Sequence, residues 1–368
     1  MKKIGVVTIN DYSNYGNRLQ NYAVHQLLEN MGYYVETIKV KRNITSSRDL
    51  SKLKKMSFQE IMFRIKSIYL NKKFSNKIIE RNKNIYNFSK KFINESNFVV
   101  EDNSLNKSIS DSYDCFFVGS DQVWNSNYIF GQNSFYLEGI EPKKKNSICA
   151  SIGLDHLENS DSKKLIEKIK DFNAISVREK EAKDIIHQFS NQDVTVLLDP
   201  TMLIDEEIWN NLISNELYLK KEKNYILIYS LGAIDKKYRK KVKKIATDNN
   251  LKIIDLADTK SKYYSVDPIG FISLIKDAKL VFTDSFHGTV FSILMKTPFI
   301  TTSRITINSL NSRINNLLDI FGLSDRNIKN FDQLDVFYID YSHVDEILKN
   351  ERMRAKEFIL SACGDRNG

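Results

Sequence analysis

The sequence VFTDSFHGTVFS occupies residues 281–292. Its apolar beginning fits a short buried strand over 280–283, and the residues over 289–295 fit an apolar helix. The polar pair Asp284 and Ser285 lies in the turn between them. A strand that leads directly into a helix is the repeating step of a parallel α/β sheet, so this stretch predicts an α/β fold.

The same step recurs along the chain in two series, separated by a polar, lysine-rich stretch. Predicted strands fall at 4–9, 33–40, 115–118, 147–152, 174–177 and 194–198, and then at 225–231, 251–256 and 280–283. We therefore predict two Rossmann-like, doubly wound lobes that face a cleft. The first lobe takes residues 1–212 with a basic helical insertion at 41–95, and the second takes 213–343. A C-terminal helix over 344–368 could cross back onto the first lobe.

The composition excludes several classes of protein. A chain of 368 residues with 42% hydrophobic and 27% charged residues fits a globular protein of two domains. The apolar run after Met1 is too short for a signal peptide, and no stretch approaches the ~20 apolar residues of a membrane span. The three cysteines show no metal-ligand spacing and suggest no disulfide framework, so we expect a cytoplasmic protein without a metal site.

The net charge of +9 is concentrated in one segment. Residues 41–95 carry 15 Lys/Arg and 4 Asp/Glu, and the rest of the chain is nearly neutral. This segment fits an amphipathic helix with a solvated basic face. The alternative is a patch that binds a membrane surface or a polyanion, which would allow the protein to associate with the anionic inner face of the membrane. No recognition module accompanies the charge, so we do not expect nucleic acid as a partner.

Two predicted turns of the first lobe contain small polar residues where a ligand would bind. The turn after the first strand offers Asn14, Gly16 and Asn17. The turn after the 115–118 strand suits a sugar, because carboxylate and amide groups bind hydroxyls and an indole ring packs on a sugar face. Its candidate acceptor-binding residues are Ser120, Asp121, Gln122, Trp124 and Asn125. The alternatives are a capped loop before a helix for the first turn, and Asp121 as a cap with Trp124 in the core for the second.

The turn at 284–288 places a histidine where an anion would bind. His287 lies in the first turn of the predicted helix, where free backbone amides and the helix dipole favour negative charge. Gly288 would allow the anion to approach closely. The other four histidines lack such a setting, so they are interpreted as surface or core residues.

Taken together and in order, these segments resemble the polysaccharide pyruvyl transferase family. The resemblance runs from Gly5 to about Arg326 and rests on six stretches. They are NYGN at 14–17, GSDQVWN at 119–125, SVRE at 176–179, LDPT at 198–201, DSFHG at 284–288 and SRI at 312–314. The resemblance implies a two-lobed fold like that of GT-B glycosyltransferases. It also implies transfer of the enolpyruvyl group of phosphoenolpyruvate onto two sugar hydroxyls, giving a pyruvate ketal and phosphate.

The resemblance also implies roles for single residues. The positions that bind or activate phosphoenolpyruvate correspond to His287 and Arg178, with Ser285 and Gly288 beside the donor. Ser285 stands where some members have an arginine, so Arg304 or Arg313 would complete the anion site. Each of those two arginines is equally interpretable as a structural salt-bridge former.

The reaction needs an acid near neutral pH, a base and anion-binding groups. We nominate His287 as the acid that protonates the donor methylene and Asp121 as the base for the first hydroxyl. Arginine forks and a helix N-terminus can neutralise the donor, so no cofactor is expected, and phosphoenolpyruvate is a substrate. The acceptor would be a sugar or a lipid-linked oligosaccharide. Two other functions stay open: a GT-B glycosyltransferase using a nucleotide sugar, and a non-catalytic carbohydrate-binding protein of the same fold.

Overall fold

A computed structural model describes eight stretches of the chain. They are residues 1–41, 73–101, 104–126, 133–154, 156–215, 222–232, 234–302 and 311–365. Most of the basic segment expected at 41–95 lies outside these residues, as does Arg304.

The chain divides into two compact units, each assembled from separated stretches. The first unit contains Met1–Ile44, Asn87–Ile204 and Glu346–Gly368, and the second contains Thr45–Tyr86 and Asp205–Asp345. The division at Ile204 comes before the expected boundary at residue 212. The described residues 73–86 group with the second unit, whereas the sequence analysis assigned them to an insertion of the first.

The strands form parallel sheets, one series in each unit. In chain order they are β1 (Lys3–Val7), β2 (Tyr34–Val40), β3 (Glu95–Val100), β4 (Cys115–Gly119), β5 (Lys145–Ile148), β6 (Ile175–Val177), β7 (Val194–Val196), β8 (Tyr225–Tyr229), β9 (Lys252–Asp255), β10 (Leu280–Thr283) and β11 (Phe299–Thr301). The first unit has the order β3-β2-β1-β4-β5, and the pair β6-β7 adjoins β5 through bridges at Asn146 and Ala150. The second unit has the order β11-β10-β8-β9. All these pairs are parallel, which confirms the α/β prediction.

Helices connect the strands, as parallel sheets require. They are α1 (Tyr15–Glu29), α2 (Ser75–Phe92), α3 (Lys107–Asp111), α4 (Asn159–Ile169), α5 (Lys180–Phe189), α6 (Pro200–Leu203), α7 (Glu206–Ser214), α8 (Lys236–Asp248), α9 (Pro268–Lys276), α10 (Phe286–Leu294), α11 (Asn311–Ile320) and α12 (Val344–Ala362). Short 3₁₀ turns lie at Asn133–Tyr136, Pro142–Lys144, Ser324–Arg326 and Ile328–Gln333. Across the part of the chain that the structure describes, no helix combines the length and hydropathy needed to cross a bilayer.

Almost all of the C-terminal helix groups with the first unit, which contains Glu346–Gly368. Leu348, Ala355 and Ile359 on α12 are buried. Beyond α12, the Lys2 ammonium binds the Asp365 carboxylate at 2.5 Å. The Sγ atoms of Cys363 and Cys115 lie 3.6 Å apart, so the end of the chain contacts the beginning of β4. The chain therefore returns to the sheet on which it began.

The strand order fixes where each unit can form a binding crevice. In the first unit β1 lies between β2 and β4, so the chain leaves β1 and β4 toward opposite sides of the sheet. In the second unit β8 lies between β9 and β10 in the same way. Open parallel sheets bind ligands beyond the carboxyl ends of the strands at such a switch point. The loops after β1 and β4, and those after β8 and β10, are therefore the places to look.

Candidate functional site

In the first unit, a hydrogen bond joins the first turn of α1, which follows β1, to the loop that follows β4. The Asn17 amide Nδ2 donates to the Asp121 Oδ2 at 2.7 Å. Asn14 precedes α1 as its N-cap, and its side chain accepts the backbone N–H of Asn17 at 3.2 Å. Asn14 is exposed, while Gly16 and Asn17 are buried. Two turns that the sequence analysis singled out independently thus meet at the switch point.

The buried Arg18 side chain determines which way the Asn17 amide faces. Arg18 donates through Nε and Nη2 to the Asn17 Oδ1, at 2.9 and 2.7 Å, and through Nη2 to the carbonyl of Ile9 at 2.6 Å. Its Nη1 lies 3.4 Å from a Glu95 carboxylate oxygen. Burial lowers the pKa of this guanidinium. With its oxygen held by Arg18, Asn17 must present its NH₂ group to Asp121. Sequence reasoning missed Arg18, although its place directly after Asn17 in the first candidate turn was a signal.

Asp121 is held at the crevice as a hydrogen-bond acceptor. Its φ of 70° lies in the left-handed region, where Asp is tolerated better than most residues. Its Oδ1 accepts the backbone N–H of Gln122 at 2.8 Å, and its carbonyl accepts the N–H of Ser151 at 3.0 Å. Asp121 and Gln122 are both half-buried. Each oxygen of this carboxylate accepts one hydrogen bond and has a further lone pair, and the nomination of Asp121 as the base stays a prediction.

Three residues predicted to contact a sugar are instead buried supports of the loop. The Trp124 side chain is 2% exposed, donates its Nε1–H to the Phe135 carbonyl at 3.0 Å and packs edge-on against Phe172. It therefore offers no ring face to a sugar, and the core alternative is correct. Ser120 is also buried, with its hydroxyl donating to the Cys149 carbonyl at 3.1 Å. The buried Asn125 amide donates to the Gln122 Oε1 at 2.6 Å, which leaves Gln122 as the accessible amide.

Arg178, at the end of β6, is enclosed by carboxylates of its own unit. Its Nη1 donates to the Asp199 Oδ2 at 2.7 Å, and its Nε lies 3.3 Å from the Glu179 Oε1. Burial opposes its charge, but Glu179 and Asp199 outweigh that effect and raise the pKa of the guanidinium. The structure thus gives Arg178 a role in holding the carboxyl edge of the sheet. Its expected reach toward a donor is not part of this arrangement and stays a prediction.

In the second unit, Asp284 joins the loops that follow β8 and β10. This buried carboxylate accepts the Ser230 hydroxyl at 2.9 Å and the backbone N–H groups of Leu231 and Gly232 at 2.7 and 2.8 Å. Charge-assisted bonds of this kind are about twice as strong as neutral ones. Hydrogen bonds therefore join the segments that meet at the second switch point, as they do at the first.

His287 lies in the first turn of α10, where the sequence placed it. Ser285 is the N-cap, and its hydroxyl accepts the Gly288 N–H at 3.3 Å. His287 is half-buried, and its ring lies 5.4 Å from that of Phe286. The Arg313 guanidinium lies 5.8 Å from the centre of the same Phe286 ring. Two of the residues predicted to bind the donor, His287 and Arg313, thus both lie close to the ring of Phe286.

The reason for a glycine at 288 differs from the one predicted. A Cβ atom there would lie 2.4 Å from the Thr283 Oγ1, inside the unit. Gly288 is buried, and its N–H is already taken by the Ser285 cap. Its small size lets α10 pack closely on the end of β10, and it does not serve to admit an anion.

No group of three or more His, Cys, Asp or Glu side chains within the described ranges is placed to hold a metal ion.

A family model for polysaccharide pyruvyl transferase matches residues 14–304. The chain belongs to the polysaccharide pyruvyl transferase family. The matched range begins at Asn14 and includes Asp121, Arg178 and His287, whereas Arg313 lies beyond it. No curated protein gives a significant sequence match.

Solved structures resemble this pyruvyl transferase family member over most of its length, at low identity. The UDP-GlcNAc 2-epimerase from Neisseria meningitidis is 11% identical with a TM-score of 0.47, covering 98% of this chain and 100% of its own. The UDP-N-acetylglucosamine 2-epimerase from Rickettsia bellii is 9% identical with a TM-score of 0.48, covering 99% and 97%. MurG from Acinetobacter baumannii is 10% identical with a TM-score of 0.36, covering 99% and 95%.

Proposed function

We propose that this transferase moves the enolpyruvyl group of phosphoenolpyruvate onto two hydroxyls of a sugar in a capsule, exopolysaccharide or cell-wall glycan intermediate. The two hydroxyl oxygens form bonds to the central carbon of the donor, and the bond from that carbon to the phosphate oxygen breaks. Of the two hydroxyl protons, one ends on the methylene carbon, which becomes a methyl group, and the other leaves with phosphate. The product is a cyclic pyruvate ketal.

The observation that carries this proposal is His287 at the N-terminus of α10 in a pyruvyl transferase family member. Imidazole titrates near neutral pH and can protonate the donor methylene. The helix N-terminus and the Arg313 guanidinium supply positive potential for the phosphate and carboxylate. Asp121, oriented by Asn17, serves as the base that takes the proton of the first hydroxyl.

The proposed acceptor is a sugar or a lipid-linked oligosaccharide, reached through polar groups of the first unit such as the exposed Asn14 and the half-buried Gln122. Phosphoenolpyruvate is a cytoplasmic metabolite, so we place the reaction in the cytoplasm. Peripheral association with the anionic inner face of the membrane would bring the enzyme to lipid-linked acceptors.

Phosphate release from phosphoenolpyruvate, measured with and without a panel of sugar acceptors, tests the proposal. His287→Asn keeps a hydrogen-bond donor but cannot titrate near neutral pH, so we expect kcat to fall about 10²–10⁴-fold. His187→Asn is the matched control, because His187 is exposed on α5 in the other unit, and it should leave the rate unchanged.

Acceptor-dependent release of phosphate by the parent protein supports the proposal. Turnover of a nucleotide sugar with none of phosphoenolpyruvate would contradict it and favour the glycosyltransferase alternative. A His287→Asn variant that keeps its kcat but loses affinity for phosphoenolpyruvate would make His287 a phosphate ligand instead of the acid.

A further inference from the structure

Helix α8 carries an unusual concentration of positive charge. Its sequence is KKYRKKVKKIATD, with seven Lys/Arg and one acid, and Asp235 caps it. Five of its lysines are exposed and form no ion pair with a carboxylate among the described residues. We call them the lysine face: Lys236, Lys237, Lys240, Lys243 and Lys244. The other two bases are paired, Arg239 with Asp255 and Lys241 with Asp332.

The opposite side of α8 is firmly attached to the second unit. Val242 and Ala246 are buried in the core that includes Ile226, Ile228 and Phe331. Three members of the lysine face, Lys236, Lys240 and Lys244, are spaced four residues apart and so follow one another along one side of the helix. At 1.5 Å per residue, neighbours in this row lie about 6 Å apart along the helix axis, which is less than the Debye length of about 8 Å at physiological salt, so the potentials of neighbouring lysines add.

From this arrangement we infer that the lysine face of α8 is a docking surface for the headgroups of an anionic lipid bilayer. Lysine is a strongly hydrated point charge that suits a diffuse layer of phosphates, whereas specific phosphate sites favour the arginine fork. The one aromatic residue on α8, Tyr238, is half-buried in the core of the unit. The face thus lacks the exposed rings on which sugars or nucleic-acid bases would stack.

The place of α8 in the unit relates this surface to the candidate site. The helix begins shortly after the Leu231–Gly232 loop that Asp284 holds. Because β8 and β10 are parallel, the beginning of α8 and that of α10 lie at the same edge of the sheet. The inference thus names the surface through which the membrane association of the proposed function would occur. It does not depend on the chemistry of the donor.

The test compares two triple variants that lose the same charge. Lys236→Gln/Lys240→Gln/Lys244→Gln removes three members of the lysine face. The control, Lys143→Gln/Lys164→Gln/Lys170→Gln, removes three exposed lysines of the first unit that each contact a carboxylate. Co-sedimentation is measured with vesicles of phosphatidylglycerol in phosphatidylcholine, and with phosphatidylcholine alone.

Each lysine near an anionic surface contributes about fivefold to partitioning, so the α8 variant should partition about 100-fold less than the parent. The control variant should bind like the parent, within about threefold. Binding by the parent should weaken as salt is raised and be absent on neutral vesicles. A Lys236→Arg/Lys240→Arg/Lys244→Arg variant keeps the charge and should keep the binding, which separates loss of charge from loss of fold.

Equal binding of the α8 and control variants, or no binding of the parent to anionic vesicles, would overturn the inference. So would retention of the parent by polygalacturonate in preference to vesicles, since the partner would then be an acidic glycan. Phosphate release with a soluble acceptor should be unchanged in both variants. Failure of that reaction in the parent would count against the proposed function and leave the vesicle result standing.

Discussion

At the scale of single residues, Asp284 organises the second switch point through three hydrogen bonds to the loop after β8. Asp284→Asn would turn an NH₂ group toward donors that need an acceptor, leaving at least one partly buried backbone N–H or the buried Ser230 hydroxyl without its acceptor. We expect a loss of about 1–3 kcal/mol in the free energy of unfolding, measured by urea titration.

Asp277→Asn is the control for this loss, because Asp277 is exposed at the end of α9 in the same unit. Its effect should stay within about 0.5 kcal/mol. Equal stability of the two variants would show that the loop after β8 does not depend on Asp284.

At the scale of elements, α10 packs on β10 closely enough that Gly288 tolerates no side chain. In Gly288→Ala the new Cβ would meet the Thr283 Oγ1 at 2.4 Å, and either the helix or the strand must shift. Overpacking of this kind costs about 1–3 kcal/mol, seen as a lower Tm.

Thr283→Ala identifies the clash, because it removes the Oγ1 that the new methyl group would meet. By itself it loses the hydrogen bond to the Tyr229 carbonyl. In the double variant, Gly288→Ala should cost less than it does in the parent. Strictly additive losses would mean that the close approach at Gly288 has another origin.

At the scale of the whole molecule, the first unit depends on a helix that follows the second unit in the sequence. Ile359 on α12 is 0% exposed, whereas Met353 on the same helix is 50% exposed. Ile359→Ala should therefore lower the free energy of unfolding by about 2–5 kcal/mol, and Met353→Ala by less than about 0.5. Chemical denaturation followed by circular dichroism measures both. Similar values would indicate that α12 adds little to the first unit.

Most of the architecture was predictable from the local sequence pattern, because the pattern of apolar and polar residues within each short segment indicates a strand, a turn or a helix. The turn before α10 is the best example: the N-cap Ser285 and His287 lie in one continuous stretch. What could not be predicted depends on distant partners. Trp124 is in the core because Phe135 and Phe172 surround it. In the same way, Arg178 is enclosed because Asp199 accepts its hydrogen bond, and Asp199 follows α5 and β7 in the sequence.

The division into units shows the same limit. A boundary near residue 212 follows from the lysine-rich stretch, but the structure places it at Ile204. Which unit a helix joins depends on the residues that its side chains contact. Arg81, for example, lies 5.2 Å from the ring of Tyr264, and Asn84 donates to the Ser265 carbonyl, so the beginning of α2 is held by the second unit. Sequence spacing carries no record of such contacts.

Because the thiols of Cys115 and Cys363 are neighbours, we expect that an oxidant can link the end of α12 to the beginning of β4. Their sulfur atoms are 3.6 Å apart and would need to close to about 2.05 Å to form a bond. Diamide can take up the two electrons and two protons that the thiols lose, so brief treatment should give a faster-migrating monomer on a non-reducing gel. Cys149→Ser should keep this species and Cys363→Ser should abolish it, and a dimer as the sole product would contradict the intramolecular link. The disulfide would close residues 115–363 into a covalent ring. That ring would contain the entire Asp205–Asp345 portion of the second unit.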